Sequence, residues 1–471
     1  MIQRNNYLIV LCLFLFSIEA FSQKDSSISF SFSSFLKIVQ QHHPIVKQAD
    51  LLIDNANAYK QSVRGEFDPK LFYGFESKYY DEKNYYSIGN GGLQIPTWYG
   101  LDFKMGLEKN NGDYLNRQQI TPNEGLFYSQ ISLPLLQGLI IDERRATLKK
   151  ARIFQQMSDF EKIIAVNELL YNAGKSYWDW QLAFSNMKVI ENALFIAQQR
   201  FNAVKRTAEL GDRPFIDTIE SMIQLQERTL SLQQAQYEYQ TKSILLSNYL
   251  WTTDNVPLEL NNKITPEYYA ELNLIESDAF DKWGQNIDNI IEFHPELKTI
   301  QFKLNQAEID RNLKQDKLKP KLNLNYSPLY NNFNNIYGNF NNYKWGLTAG
   351  IPLFLRKERA EFRTAKIKIE NIQLEAIQKR IGLVNKIKRK QIEYDNYKKQ
   401  FNLYFSTVDN YRNLWTSEKK LFDSGESSLF MINSREMSYL NAQLKLNDIF
   451  IKTKNALLDL MYNLCQIDRS L

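Results

Sequence analysis

The chain has 471 residues, 44% hydrophobic and 13% aromatic, enough apolar material for two or three domains. Its 58 basic and 53 acidic residues leave a net charge of only +5, which singles out no partner and does not indicate nucleic acid. Beyond the N-terminal segment Cys465 is the only cysteine, so no intramolecular disulfide is available and stability has to come from burial and association.

In chain order, residues 1–22 are predicted to be a secretory signal peptide. Arg4 precedes an apolar run from Tyr7 to Ile18, and small residues follow at Ala20 and Ser22, with cleavage expected between Ser22 and Gln23. The run is shorter than the roughly 20 residues that cross a bilayer. Cys12 follows Leu11, so the small residue that precedes a lipidated cysteine is missing. No later stretch reaches about 18 consecutive apolar residues, which excludes a transmembrane helix and leaves either a soluble exported chain or membrane strands.

The remainder is a duplication. His43-Pro44 returns as His294-Pro295, and Pro69-Lys70-Leu71 returns as Pro320-Lys321-Leu322, both shifted by 251 positions. The run around Pro134 matches the run around Pro352 at a shift of 218, so the first copy holds 33 additional residues between its first two strand-like segments. Gly211 and Gly425 repeat at a shift of 214. The first copy is placed at 23–251 and the second at 283–471, with a linker at 252–282.

Each copy opens with a helical stretch, Phe32 to about Arg64 and Trp283 to about Leu318, ended by a proline. Strands are predicted near 69–80 and 126–134 in the first copy, and near 320–328 and 343–352 in the second. In the second copy Leu322, Leu324 and Tyr326 alternate with Asn323, Asn325 and Ser327, and Tyr343, Trp345 and Leu347 alternate with Lys344, Gly346 and Thr348. The alternation fits a lipid-facing, lumen-lining strand and equally a half-buried strand of a soluble sheet. On the first reading Leu322, Leu324, Tyr343, Trp345 and Leu347 are the candidate lipid-facing residues. The segment at 81–125 is left without an assigned conformation, although Trp98 to Lys109 has the length of another hairpin. The Asn- and aromatic-rich connection from Tyr330 to Asn342 suits a loop at a membrane surface.

Beyond the second strand, each copy shows a helical pattern almost free of Gly and Pro, from about Asp142 to Leu210 and from about Lys357 to Phe422. Some 65 residues make a rod of about 100 Å. Gly211 and Gly425 then reverse the chain, giving helical hairpins at 142–250 and 356–466. In the return helices Leu225, Leu232, Tyr239 and Leu246 lie seven apart, as do Ile432, Tyr439 and Leu446, which is coiled-coil spacing.

Two strands per copy make four per chain, below the limit of about eight that closes a barrel. An open edge in lipid would leave backbone groups unpaired at several kcal/mol each, so the chain has to share its barrel with other copies. The expected fold class is mainly α with a transmembrane β-barrel part. Three chains, each with the duplicated helix-strand-strand-long helix-helix unit, would give a twelve-stranded barrel, with the long hairpins bundled beneath it into a coiled-coil α-barrel. No catalytic, cofactor or metal constellation is found: the only histidines are His42, His43 and His294, and two of them sit at the repeated His-Pro, where a structural role such as packing or capping is expected.

The doubled His-Pro, the run Ser132 to Gly138, and the turn with Gly211 and Asp217 resemble landmarks of the TolC-like outer-membrane efflux proteins, and the resemblance covers the whole mature chain. It implies a homotrimer in outer-membrane lipid, extending into the periplasm, with an equatorial belt including Thr252 to Asp281. It further implies that Gly211 and Gly425 mark periplasmic tips that dock a periplasmic adaptor protein, and that Arg213, Asp217 and Glu220 close the entrance. The second copy departs from this with Ser427, Met431 and Ser434, so that Met431 is a candidate apolar constriction. The plainer reading of Asp217 and Glu220 is as charges that stabilise a helix N-terminus. The function so implied is not enzymatic. It is a passive exit duct of a tripartite efflux pump or type I secretion system, supplied by an inner-membrane pump; the alternative is a non-pore periplasmic coiled coil with a structural or adhesive role.

Overall fold

The computed structural model describes residues 28–261, 263–267, 287–331 and 341–467. The signal-peptide assignment, linker residues 268–282 and the middle of the Tyr330–Asn342 connection lie outside these residues. A short strand β1 (Ile28–Phe30) leads into α1 (Phe32–His42) and α2 (Pro44–Arg64). The stretch from Phe32 to Arg64, expected as one helix, is thus two. A residue before proline is driven out of the helical region, and His43 is extended at φ −66, ψ 135. Its Nδ1 accepts the Ile45 N–H at 3.1 Å, so the side chain caps the helix that the proline starts.

Four strands follow: β2 (Lys70–Tyr80), β3 (Lys83–Pro96), β4 (Asp102–Asn111) and β5 (Leu126–Pro134). Next come α3 (Glu143–Glu209) and α4 (Phe215–Ser247), and then β6 (Ile264–Pro266) in the linker. The second copy contributes α5 (Ile287–Glu292), α6 (Pro295–Asp316), β7 (Lys321–Tyr330), β8 (Tyr343–Gly350), α7 (Arg356–Asp423) and α8 (Leu429–Asn463). His294 repeats the cap, its Nδ1 accepting the Glu296 N–H at 3.3 Å.

Six strands, not four, form the sheet, in the order β2-β3-β4-β5-β7-β8 with every neighbour antiparallel. The expected count of four strands per chain therefore falls short by two. The additional residues of the first copy pair in unbroken register from Ser87↔Asn111 to Pro96↔Asp102, which satisfies their backbone groups as strand rather than loop.

The helices α3 and α7, of 67 and 68 residues, are each about 100 Å long. Along α7 the buried Ile387, Tyr394, Phe401 and Val408 keep a seven-residue spacing, which half-buried Trp415 and buried Phe422 continue. On α4 the buried Ser221, Arg228 and Ala235 keep it too, each four residues before Leu225, Leu232 and Tyr239, so the two rows interleave as the a and d positions of one seam. The main core lies midway along the hairpins, where Phe35 and Leu36 of α1, Tyr177 and Trp180 of α3, Leu246 of α4 and Phe450 and Leu458 of α8 are sealed from solvent. Trp180 Nε1 donates to Ser243 Oγ at 2.9 Å, and the Tyr177 hydroxyl donates to the Phe30 carbonyl at 2.6 Å. β1 pairs in parallel with β6, and Gln181 Nε2 donates to the Glu267 carbonyl at 2.8 Å, so the described part of the linker is fastened across the middle of α3.

Candidate functional site

Cross-strand partners in an antiparallel sheet share a face. The pairing therefore sorts every strand residue into one of two surfaces. One surface carries Leu71, Tyr73 and Phe75 of β2, Leu93 of β3, Phe103, Met105 and Leu107 of β4, Ile131 of β5, Leu322, Leu324 and Tyr326 of β7 and Trp345 and Leu347 of β8. This apolar surface is open: Leu71 is 86% exposed and Trp345 62%. Tyr343 and Leu347 are likewise exposed, while Leu322 and Leu324, paired with Ala349 and Leu347, are half-buried on the same face. The opposite surface is polar. There the Tyr128 hydroxyl donates to Asn90 Oδ1 at 2.9 Å and Ser132 Oγ donates to Asn325 Oδ1 at 2.7 Å, with Lys104, Glu108, Gln130 and Lys344 around them.

The sheet stands on the helices through a rigid joint. Asp316, buried at the end of α6, accepts the Gly138 N–H at 2.6 Å, and Lys319 pairs with it at 2.6 Å. Arg145 near the start of α3 holds Asp142 at 3.1 Å and donates to the Leu139 carbonyl at 3.1 Å. Trp98, between β3 and β4, stacks on Phe67 with ring centroids 4.7 Å apart, and Asp102 pairs with Arg144 at 2.9 Å.

At the far end of the helices both turns close in one way. Asp212 N–H donates to the Thr207 carbonyl and Gly211 N–H to that of Ala208; Glu426 donates to Leu421 and Gly425 to Phe422. These are paired bonds that end a helix on a left-handed residue, and Gly211 and Gly425 stand at φ 83 and 78. The return helices start differently. In the second copy Ser428 caps α8, its Oγ accepting the Met431 N–H at 3.3 Å. In the first, Pro214 occupies the matching place without a capping side chain, and Asp217 supplies the negative charge in the first turn. That accounts for an acid at 217 where the second copy has half-buried Met431.

Asp217 lies 3.7 Å from Arg213, whose guanidinium sits 4.2 Å over the Phe422 ring. Glu220 accepts from Asn433 Nδ2 at 3.0 Å, Asn433 Oδ1 accepts from Arg200 at 2.7 Å, and Arg200 also pairs with Glu436. Glu220 thus meets the other copy through a half-buried chain of polar groups, and Arg213 meets it at the Phe422 ring. Arg200, Arg228 and Glu436 were not legible in the sequence. Charged residues in heptad slots were the only signal, visible for Arg228 once Ser221 and Ala235 are placed on the same row.

Residues 286–463 match the family model described as outer membrane efflux protein. No curated protein sequence matches the chain. Among solved structures, the chain is similar to the open state of the Neisseria gonorrhoeae MtrE outer membrane channel at a TM-score of 0.65 and 12% identity, covering 92% of this chain and 88% of that one. The Campylobacter jejuni CmeC outer membrane channel gives 0.62 and 12% over 92% and 85% of the two chains. The outer membrane protein VceC from Vibrio cholerae gives 0.62 and 12% over 92% and 95%. At these identities the likeness is one of fold. No described helix is long and apolar enough to cross a membrane.

Proposed function

We propose that this chain, which carries an outer membrane efflux protein domain over residues 286–463 and has the fold of the TolC-like channels, is one subunit of a homotrimeric exit duct in the outer membrane. The observation that carries this reading is the open sheet: an apolar face across six strands that is exposed at Leu71, Met105, Trp345 and Leu347, a polar face behind it, and edges at β2 and β8 with no strand partner among the described residues. Such a face is unstable in water but fitted to lipid, and such edges are satisfied by another copy. Tyr343, Trp345, Leu347, Leu322 and Leu324 then face lipid.

The helices support the same assembly. Ile216, Ile223, Leu230, Tyr237 and Ile244 of α4 are all exposed at seven-residue spacing, as are Ile367, Leu374 and Ile381 of α7. These are coiled-coil seams without a partner in the single chain, and neighbouring copies cover them. The duct itself is passive. Cargo enters from an inner-membrane transporter, a periplasmic adaptor docks at the Gly211 and Gly425 turns, and Arg213, Asp217, Glu220 and Met431 narrow the entrance.

The test is to fractionate cells, weigh the detergent-solubilised assembly and record currents in planar bilayers. An outer-membrane trimer with stepwise conductance is expected. A monomer released without detergent, with no conductance, would favour the non-pore coiled coil instead.

A further inference from the structure

The hairpin inserted in the first copy is built as wall rather than as loop. β3 and β4 have 14 and 10 residues, and about 9–11 tilted residues cross a bilayer. Their register keeps the parity of the sheet, with Leu93, Met105 and Leu107 on the apolar face and Lys104 and Glu108 on the polar one. Their inner turn is fastened to the helical body by the Trp98–Phe67 stack and the Asp102–Arg144 pair, an attachment that a loop folded back at the outer surface would not make.

An even number of strands also leaves β2 and β8 running in opposite directions, so β8 of one copy can pair antiparallel with β2 of the next. Resting on the trimeric channel reading above, we propose that this hairpin lines the membrane barrel. Three copies then close eighteen strands, giving a vestibule for bulky hydrated cargo. With strands about 4.8 Å apart and tilted about 40°, eighteen strands enclose a backbone diameter of about 36 Å, against about 24 Å for twelve. The outer segment then does not sieve, and size selection falls to the helical end.

The test uses the full chain with Cys465→Ser, reconstituted in phosphatidylcholine vesicles and carrying a nitroxide at Met105→Cys, Leu107→Cys, Lys104→Cys or Glu108→Cys. Positions 105 and 107 are expected to be reached by dissolved oxygen and shielded from a water-soluble nickel chelate, with the reverse at 104 and 108. In planar bilayers, polyethylene glycols added from the outer side should enter the vestibule up to a size about 1.5-fold larger than in a variant whose residues 81–125 are replaced by Asn-Gly. Vesicle-inserted trimers in which all four positions meet the chelate would overturn this proposal alone. Protein that does not insert into vesicles would overturn the channel reading with it.

Discussion

Arg200 of α3 and Glu436 of α8 form an ion pair between the two copies of the duplication, with only 11% and 6% of their side chains exposed. Burial, and then the nearby Arg228, push the Arg200 guanidinium down to about 10. Deleting the carboxylate as Glu436→Ala strands a buried cation beside another, which costs about 3–5 kcal/mol. Proteolysis at the Gly211 and Gly425 turns should then accelerate by about 100-fold or more where cleavage follows local opening. Glu436→Gln, which keeps a hydrogen-bond acceptor, should accelerate it less.

The two turn glycines should respond alike. Nothing lies within 4 Å of a Cβ built at either, so Gly211→Ala or Gly425→Ala meets no clash and the cost is the left-handed backbone alone, about 1 kcal/mol. Asn at the same positions should recover most of it. Helix melting followed by circular dichroism would check the order Gly, Asn, Ala.

Asp217 and Glu220 separate two roles. If three symmetry-related copies crowd the entrance, Asp217→Asn with Glu220→Gln should lower the cation preference of the channel in planar bilayers while leaving the trimer intact. Met431→Ala should change the leak conductance with little effect on ion preference. An unchanged preference in the double variant, with a loss of about 0.3–1 kcal/mol of stability, would leave Asp217 as a helix-start charge alone.

His294 should make the second copy acid-sensitive. Its Nδ1 accepts the Glu296 N–H and its Nε2 donates to the Asn463 carbonyl at 3.1 Å, an arrangement that only the neutral ring can make. Burial, helped by Lys379 and Lys386 and opposed by Glu296, holds its pKa below the ordinary 6.5. The unfolded chain therefore takes up the proton first. The stability due to the neutral ring is complete above pH 6.5 and declines as pH falls through the window below it. His43 is shifted in the same direction by burial. Melting curves between pH 7.5 and about pH 5 should show the decline, and His43→Asn with His294→Asn should flatten it while retaining the caps. His294→Ala should remove the His294 share of the decline and be less stable than His294→Asn by about 1 kcal/mol at every pH.

Much of this architecture was legible because duplication writes each signal twice. His43-Pro44 and His294-Pro295 marked two helix starts, and Gly211 and Gly425 marked two turns, each with a backbone reason. The hairpin from Lys83 to Asn111 was not legible, because Gly89, Gly91 and Gly92 interrupt the alternation that identifies a strand, and only pairing on both sides restores it. The seam of α4 was half legible. Leu225, Leu232 and Tyr239 announce themselves as apolar, whereas Ser221 and Arg228 are buried by neighbours that a single helix cannot reveal. The link from Glu220 to Asn433 spans 213 residues and has no local sequence signal at all.

The aromatic core at the middle of α3 is placed to serve as a fulcrum. Trp180 is pinned there on all sides, while the 29 residues after it, to Glu209, continue as an unbroken helix, an arm of about 44 Å. A rotation of 10° about that pivot sweeps the end at Gly211 through about 8 Å, more than the width of a side chain, without breaking one backbone hydrogen bond of α3. Motion at the Gly211 end therefore does not have to originate there. A small repacking around Tyr177, Trp180 and Phe450 is mechanically sufficient, and substitutions near the pivot would be read out at its distal end.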